Sequence, residues 1–297
     1  MKKYILGGGI TGLIWGFYNK EFLIISQEVG GQYNSKFSLG PRYLEVTEFS
    51  EKLLNDLKIV CEKKIIKVGY WDANEVSFIN EPSEEFRVEY FKKSRGAEKF
   101  DGDITCMNSE KQELTVFDID LKDIVESLKK KLVSRIIYNK VEKININQRS
   151  LSLEGTDKSF YYSKLISTIP MKIFLHLAGK KKELLSKAVT YVLLEDNFFD
   201  MKSFDFVYSP YTDYHRITKT KEGLVVDLLG EHSGEECKKK FDNVYKDSAI
   251  LFGTQIINID KLPKYKNVTF PGRYGAWNRK YKTEQVVKEA TEYANKS

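Results

Sequence analysis

Near its start the chain reads Lys3-Tyr4-Ile5-Leu6-Gly7-Gly8-Gly9-Ile10-Thr11-Gly12-Leu13, and the glycines at 7, 9 and 12 constrain its fold more than any other feature. Lys3 to Leu6 predicts a short buried strand. Ile10 to Asn19 predicts a helix, and Phe22-Leu23-Ile24-Ile25 a second strand. In a strand–turn–helix of this spacing the first glycine permits the tight turn. The second lets the backbone approach a pyrophosphate, and the third lets helix and strand pack closely. The helix then points the amides of Ile10 and Thr11 at the phosphates, where its positive end favours them. An acidic residue usually closes the second strand and binds the ribose hydroxyls. Here Ser26 and Gln27 stand at that point and Glu28 follows, so the ribose partner is Ser26, Glu28 or a backbone amide.

Composition narrows the class. With 297 residues, 41% of them apolar, the chain is long enough to bury a core as one large domain or two ordinary ones. Its 48 basic and 42 acidic residues leave a net charge of +6, spread over runs such as Lys129–Lys131, Lys180–Lys182 and Lys238–Lys240. That reads as solvated surface with a weak attraction for anions. No zinc spacing or basic-aromatic RNA motif accompanies it. Three separated cysteines, Cys61, Cys106 and Cys237, make no disulfide framework and suggest a reducing, cytoplasmic setting. No run reaches the roughly 20 apolar residues of a membrane span, and no signal peptide is legible. The histidines His176, His215 and His232 lack metal-ligand spacing, so no metal site is expected.

Further motifs follow in order. A second glycine pair, Gly30-Gly31-Gln32, comes directly after the second strand. Leu39-Gly40-Pro41-Arg42-Tyr43-Leu44 precedes an amphipathic stretch from Phe49 to Leu57. Leu121, Ile124, Val125, Leu128 and Leu132 keep helical spacing. Asn139, Val141 and Ile144 lie in a strand, a hairpin follows, and Ile166-Ser167-Thr168-Ile169-Pro170 ends another strand. Gly272-Arg273-Tyr274-Gly275-Ala276-Trp277 leads into a helix over Thr283 to Asn295. This series resembles the FAD-binding superfamily of amine oxidases, protoporphyrinogen oxidase and UDP-galactopyranose mutase, discontinuously but over nearly the full length.

The resemblance implies an α/β fold. Its core is a Rossmann-like FAD-binding domain of glutathione-reductase type, a parallel sheet with a small antiparallel sheet. A smaller α+β substrate domain is inserted in it. Residues 1–48, 113–190 and 246–297 would form the FAD domain, and 49–112 and 191–245 the substrate domain. FAD is the implied cofactor. Besides the first turn, it would contact Gly30, Gly31, Gln32, Gly40, Pro41, Arg42, Val141, Thr168, Pro170, Gly272, Arg273, Ala276 and Trp277.

The resemblance also implies an enzyme acting on a small molecule. One reading is an FAD-dependent oxidoreductase of amine-oxidase type, taking hydride from a C–N substrate. Another is a redox-neutral flavoenzyme acting on a nucleotide sugar, as the mutase does. A third acts on modified nucleic acid, motivated by the positive charge. Arg42, Arg216 and His215 are the candidate catalytic residues. Arg216-Ile217 resembles a strand whose arginine faces substrate, and a guanidinium there suits a diphosphate or a carboxylate. The lysine that usually reaches the flavin through water has no counterpart around Tyr191 to Phe199.

Overall fold

The computed structural model describes residues 1–39, 43–95, 113–256, 262–278 and 281–296. The chain opens with β1 (Lys2–Gly8), α1 (Ile10–Tyr18) and β2 (Phe22–Val29). It continues through β3 (Leu44–Glu45), α2 (Glu48–Leu57), β4 (Lys63–Asp72), β5 (Ser77–Ile79), α3 (Glu84–Arg95) and β6 (Glu113–Phe117). Then come α4 (Leu121–Leu132), β7 (Ile136–Tyr138), β8 (Val141–Asn145), β9 (Ser150–Leu153), β10 (Ser159–Ser167) and α5 (Met171–Leu177). The last third holds β11 (Ser186–Leu194), β12 (Phe206–Tyr208), β13 (Arg216–Lys219), β14 (Leu224–Leu229), α6 (Gly234–Phe241), β15 (Tyr245–Ile256), β16 (Val268–Thr269), α7 (Gly272–Gly275) and α8 (Thr283–Lys296).

The described strands form two sheets. The first, of seven strands, has the order β7-β2-β1-β10-β9-β8, with β16 also on β10. Its β7, β2, β1, β10 and β16 run parallel, while β8, β9 and the start of β10 form a small antiparallel meander. The second, of nine strands, has the order β15-β11-β14-β13-β12-β4-β6-β3, with β5 on β4. It is antiparallel except where β12 runs parallel to β4. These are the expected α/β layers: a parallel sheet, a small antiparallel sheet and a second mixed unit.

β10 departs from the sequence reading, which has a hairpin strand over Phe160 to Tyr162 and a separate strand from Lys164. One continuous strand spans both. Ser159 to Tyr161 pair antiparallel with β9, and from Tyr162 onward the strand runs parallel to β1.

Helices cover the parallel sheet because each carries one apolar face. In α4 the side chains of Leu121, Ile124, Val125, Leu128 and Leu132 are buried, Asp120 caps the first turn, and Lys129–Lys131 sit at the negative C-terminal end. In α2, Thr47 caps the start and Leu53, Leu54 and Leu57 turn inward. Those leucines share one core with Ile5, Leu13 and Ile14, the apolar face of α4, and Val286, Val287 and Ala290 of α8. Thus α2 packs on the parallel sheet's helices, although it falls within the 49–112 segment. β6 and β15 pair within the second sheet. No helix among the described residues is long and apolar enough to cross a membrane.

Candidate functional site

The turn between β1 and α1 is held by contacts that leave no room for side chains on one side and open space on the other. A Cβ on Gly12 would lie 1.9 Å from the carbonyl oxygen of Gly7, so only glycine lets α1 approach β1 this closely. A Cβ on Gly9 would meet nothing within 4 Å. Gly9 caps α1 without a side-chain hydrogen bond, and the first turn holds no acidic residue. The amides at this end have no intrahelical acceptor and face the space that Gly9 leaves open. The geometry is that of an anion cradle.

The second glycine turn is pinned to the first. Gly30 N–H donates to Gly8 O at 2.9 Å, and Asn34 Nδ2 donates to Val29 O at 2.8 Å. A Cβ on Gly31 would sit 3.5 Å from Gly9 Cα, so the two turns lie against each other. Ser26 ties them at the end of β2: its Oγ accepts from Gly8 N–H at 2.9 Å and donates to Glu28 O. The Ser26 proton is therefore committed within the protein, while the Glu28 carboxylate lies exposed on the same wall. Gln32 contributes a buried Oε1 with no hydrogen-bond partner.

The chain's middle and end close on the same place. Thr168, following β10, donates its hydroxyl proton to Leu6 O at 2.9 Å or Gly7 O at 3.2 Å. At α7 a Cβ on Gly272 would come within 2.6 Å of Thr11 Oγ1, and one on Gly275 within 2.7 Å of Ser167 O. Three segments far apart in sequence thus meet at the start of α1.

They enclose a cavity of about 540 Å³. From the first and second turns, Gly7, Gly9, Ile10, Thr11, Ser26, Gly30, Gly31 and Gln32 line it, and Thr168, Pro170 and Arg273 line it too. Gly12 lies beneath the turn. Gln27 is exposed outside the lining, and Val141 packs in the meander core. Gly272 packs on Thr11 and Ala276 follows it, both behind the wall. Trp277 is 1% exposed and packs among Phe174, Leu165 and Val268. Gly40, Pro41 and Arg42 lie outside the described residues.

Sequence reasoning did not single out Tyr33, Tyr43, Glu45, Phe252, Tyr281 or Lys282, which also line the cavity. Tyr281 and Lys282 stand directly before α8, a position that could have flagged them. Nothing in the sequence links Glu45 to them, yet Lys282 and Glu45 form an ion pair across the wall. Burial, with Glu45's charge adding to it, raises the Glu284 carboxyl above its usual range, while its own backbone hydrogen bond and Lys282 oppose the shift. Phe252 is 69% exposed at this cavity.

His215 and Arg216 lie elsewhere, on the second sheet. Register places Tyr70, Tyr208, Arg216, Asp227 and Tyr191 in one row across β4, β12, β13, β14 and β11. Tyr90 of α3 packs edge-on to Tyr208, with ring centroids 4.9 Å apart. Arg216 pairs with Asp227, which is 1% exposed. Burial works against the guanidinium's charge, but the Asp227 carboxylate outweighs it and holds Arg216 protonated. His215 is pushed down to about 3 by burial and by the positive charges of Arg216 and Lys93, so its ring is neutral. Tyr43 extends the aromatic surface, stacked on Phe206 at 6.2 Å, and reaches the cavity.

No family model and no curated protein matches the chain. Solved structures do. Reduced UDP-galactopyranose mutase superposes with a TM-score of 0.71 at 10% identity, covering 99% of this chain and 94% of that one. A CLA-producing fatty acid isomerase from P. acnes gives 0.67 at 10% identity, over 99% and 98%. Putrescine oxidase bound to putrescine gives 0.64 at 9%, over 99% and 98%. The chain has the fold of the FAD-binding, Rossmann-like flavoproteins.

Two observations of this chain test whether the residues fit the dinucleotide that the fold implies. The open cradle at Gly9, faced by unpaired helix amides, has the character needed for a pyrophosphate. The orphaned Gln32 amide oxygen is a buried acceptor awaiting a donor, which ribose or ribityl hydroxyls would supply. Both fit.

Proposed function

We propose that this protein is an FAD-dependent oxidoreductase that removes hydride from a carbon bonded to nitrogen. The convergence of three glycine-bearing segments on one cavity at the start of α1, beside an aromatic sheet face, carries the reading. The amides of Ile10 and Thr11 hold the pyrophosphate, and Arg273 adds a positive charge. Glu28 accepts from the adenosine ribose, because Ser26 has already spent its proton on Glu28 O. FAD, when bound, accepts the hydride of the substrate.

The division of labour follows the two sheets. The parallel sheet and its helices bind cofactor, and Tyr43, stacked on the buried Phe206 of the second sheet, gives the substrate side an aromatic floor. Such a floor suits a flat or apolar amine and excludes water from the reacting carbon.

Purified protein should carry yellow cofactor absorbing at about 450 nm. Anaerobic mixing with candidate amines should bleach that band. Intact absorbance across a broad amine panel would remove the amine reading.

A second reading, redox-neutral chemistry on a nucleotide sugar, draws on the superposition with reduced UDP-galactopyranose mutase. Arg216 weighs against it, since Asp227 already neutralises the guanidinium that a diphosphate would need. Binding of UDP-sugars to the dithionite-reduced protein, and their conversion, decides between the two.

A further inference from the structure

The three lysine runs of the chain differ once it is folded. Lys129 pairs with Glu126 at 3.5 Å, and Lys240 pairs with Asp213 at 2.8 Å. In the third run Lys180 and Lys181 make no ion pair among the described residues, and neither does Lys172.

The end of α5 gathers these charges. Gly179 takes a φ of +61, its N–H donates to His176 O at 3.0 Å, and Lys180 N–H reaches back to Leu175 O at 2.8 Å. A helix end of this kind needs a residue in the left-handed region, and it turns the chain back on itself. Lys180, Lys181 and Lys182 therefore close a groove with Lys172 and His176 of α5. The groove is shallow, holds about 430 Å³ and shares no residue with the cofactor cavity. Its base is core: Phe174 packs edge-on to Phe270, with ring centroids 4.7 Å apart, and Leu175 and Leu184 are buried with it.

Between residues 172 and 183 four lysines stand against one acid, Glu183. Twelve residues thus carry a net +3 in a chain of 297 residues that totals +6. Cations near a helix C-terminus are ordinary by themselves. Here they come with exposed aliphatic side chains. Ile173, next to Lys172 on α5, is 49% exposed, and Leu185, two residues beyond Glu183, is 44% exposed.

We propose that this face of α5 and the segment after it dock on an anionic lipid surface. A lysine keeps its charge among phosphates while its methylene stem lies along apolar material. Clusters of lysines are drawn to anionic headgroups, and Ile173 and Leu185 supply apolar area that can enter the headgroup–acyl boundary. No Phe, Tyr or Trp lines the groove, so it offers nucleic-acid bases nothing to stack on. The charge calls for an anionic partner, and the aliphatic side chains favour a lipid over a nucleic acid. The inference is independent of the reaction at the cofactor.

Sedimentation of the full chain with vesicles of phosphatidylcholine, alone or mixed with phosphatidylglycerol, tests this. The protein should bind the mixed vesicles, ignore the neutral ones, and come off as salt screens the attraction. Lys180→Ala/Lys181→Ala should lower the partition coefficient by about tenfold or more. Ile173→Ser/Leu185→Ser, with charge unchanged, should weaken binding to vesicles but not retention on a single-stranded oligonucleotide. Both variants should keep the wild-type melting temperature, because all four side chains are exposed.

No vesicle binding at low salt, or binding that survives either double substitution, overturns the proposal. Binding to the oligonucleotide or to a polyglutamate peptide that exceeds binding to the mixed vesicles, and is lost with the lysines, assigns the face to that partner and overturns the lipid reading.

Discussion

At the scale of residues, two glycines of one motif have different jobs. Gly12 is held by its own fold, with no space for a methyl group 1.9 Å from a backbone oxygen. Gly9 is held by nothing in the protein, and its backbone, at φ −70 and ψ 174, is one that alanine adopts freely. Gly9→Ala should therefore fold with an unchanged apoprotein melting temperature yet lose FAD affinity by tenfold or more in a flavin titration. Gly12→Ala should lower the melting temperature with or without FAD. His215 gives a prediction of a different kind. A free imidazole titrates at about 6.5, and the folded chain lowers His215 to about 3. Between these values the unfolded chain takes up a proton that the native state refuses. The stability that the neutral ring contributes is therefore complete above pH 6.5 and lost as pH falls toward 3. Denaturant titrations at pH 7 and pH 5 should show a larger loss in the wild type than in His215→Phe.

At the scale of elements, the end of β2 decides how ribose is held. Ser26 occupies the place where sequence logic expects an acid, and its hydroxyl instead bridges Gly8 N–H and Glu28 O. Ser26→Ala should cost about 1 kcal/mol of stability and weaken FAD a few-fold, because the bridge sets the spacing of the two glycine turns. Glu28→Gln should weaken FAD while leaving the melting temperature of the apoprotein alone, since Glu28 is exposed and carries no structural contact through its carboxylate among the described residues. β10 shows what periodicity misses. Its alternation looks the same on both halves, but the partner changes from β9 to β1 near Tyr162. A strand's own residues mark which face is buried, not which neighbour supplies the hydrogen bonds.

At the scale of the molecule, cofactor and fold are coupled. The cavity walls come from the two turns, the end of β10, α7 and α8, so bound FAD adds its own contacts to the few hydrogen bonds and packing contacts that join these segments. Any ligand that binds the native state alone stabilises it by mass action, by about 2.7 kcal/mol at a hundredfold excess over Kd. Thermal melts should rise with FAD concentration in the wild type and need at least tenfold more FAD for the same rise in Gly9→Ala. The same scale governs Phe252, whose exposed ring at the cavity should gain protection from chemical or solvent probes when FAD is added.

Local sequence was enough to specify the opening strand, turn and helix, the α4 apolar stripe and the three glycine-bearing segments. These depend on local sterics and on periodicities that residues i, i+3 and i+4 reveal unaided. Tertiary structure decided what those segments meet. It set Gly272 against Thr11, placed Lys282 opposite Glu45, withdrew Trp277 into a core, and paired Arg216 with Asp227 on a sheet away from the cofactor cavity. It also put Tyr43 at the cofactor cavity, stacked on Phe206. Contacts of that kind join residues on different elements, 11 positions apart for Arg216 and Asp227 and 237 for Lys282 and Glu45, and no local pattern encodes them. They follow from strand order and helix packing, which are properties of the whole chain.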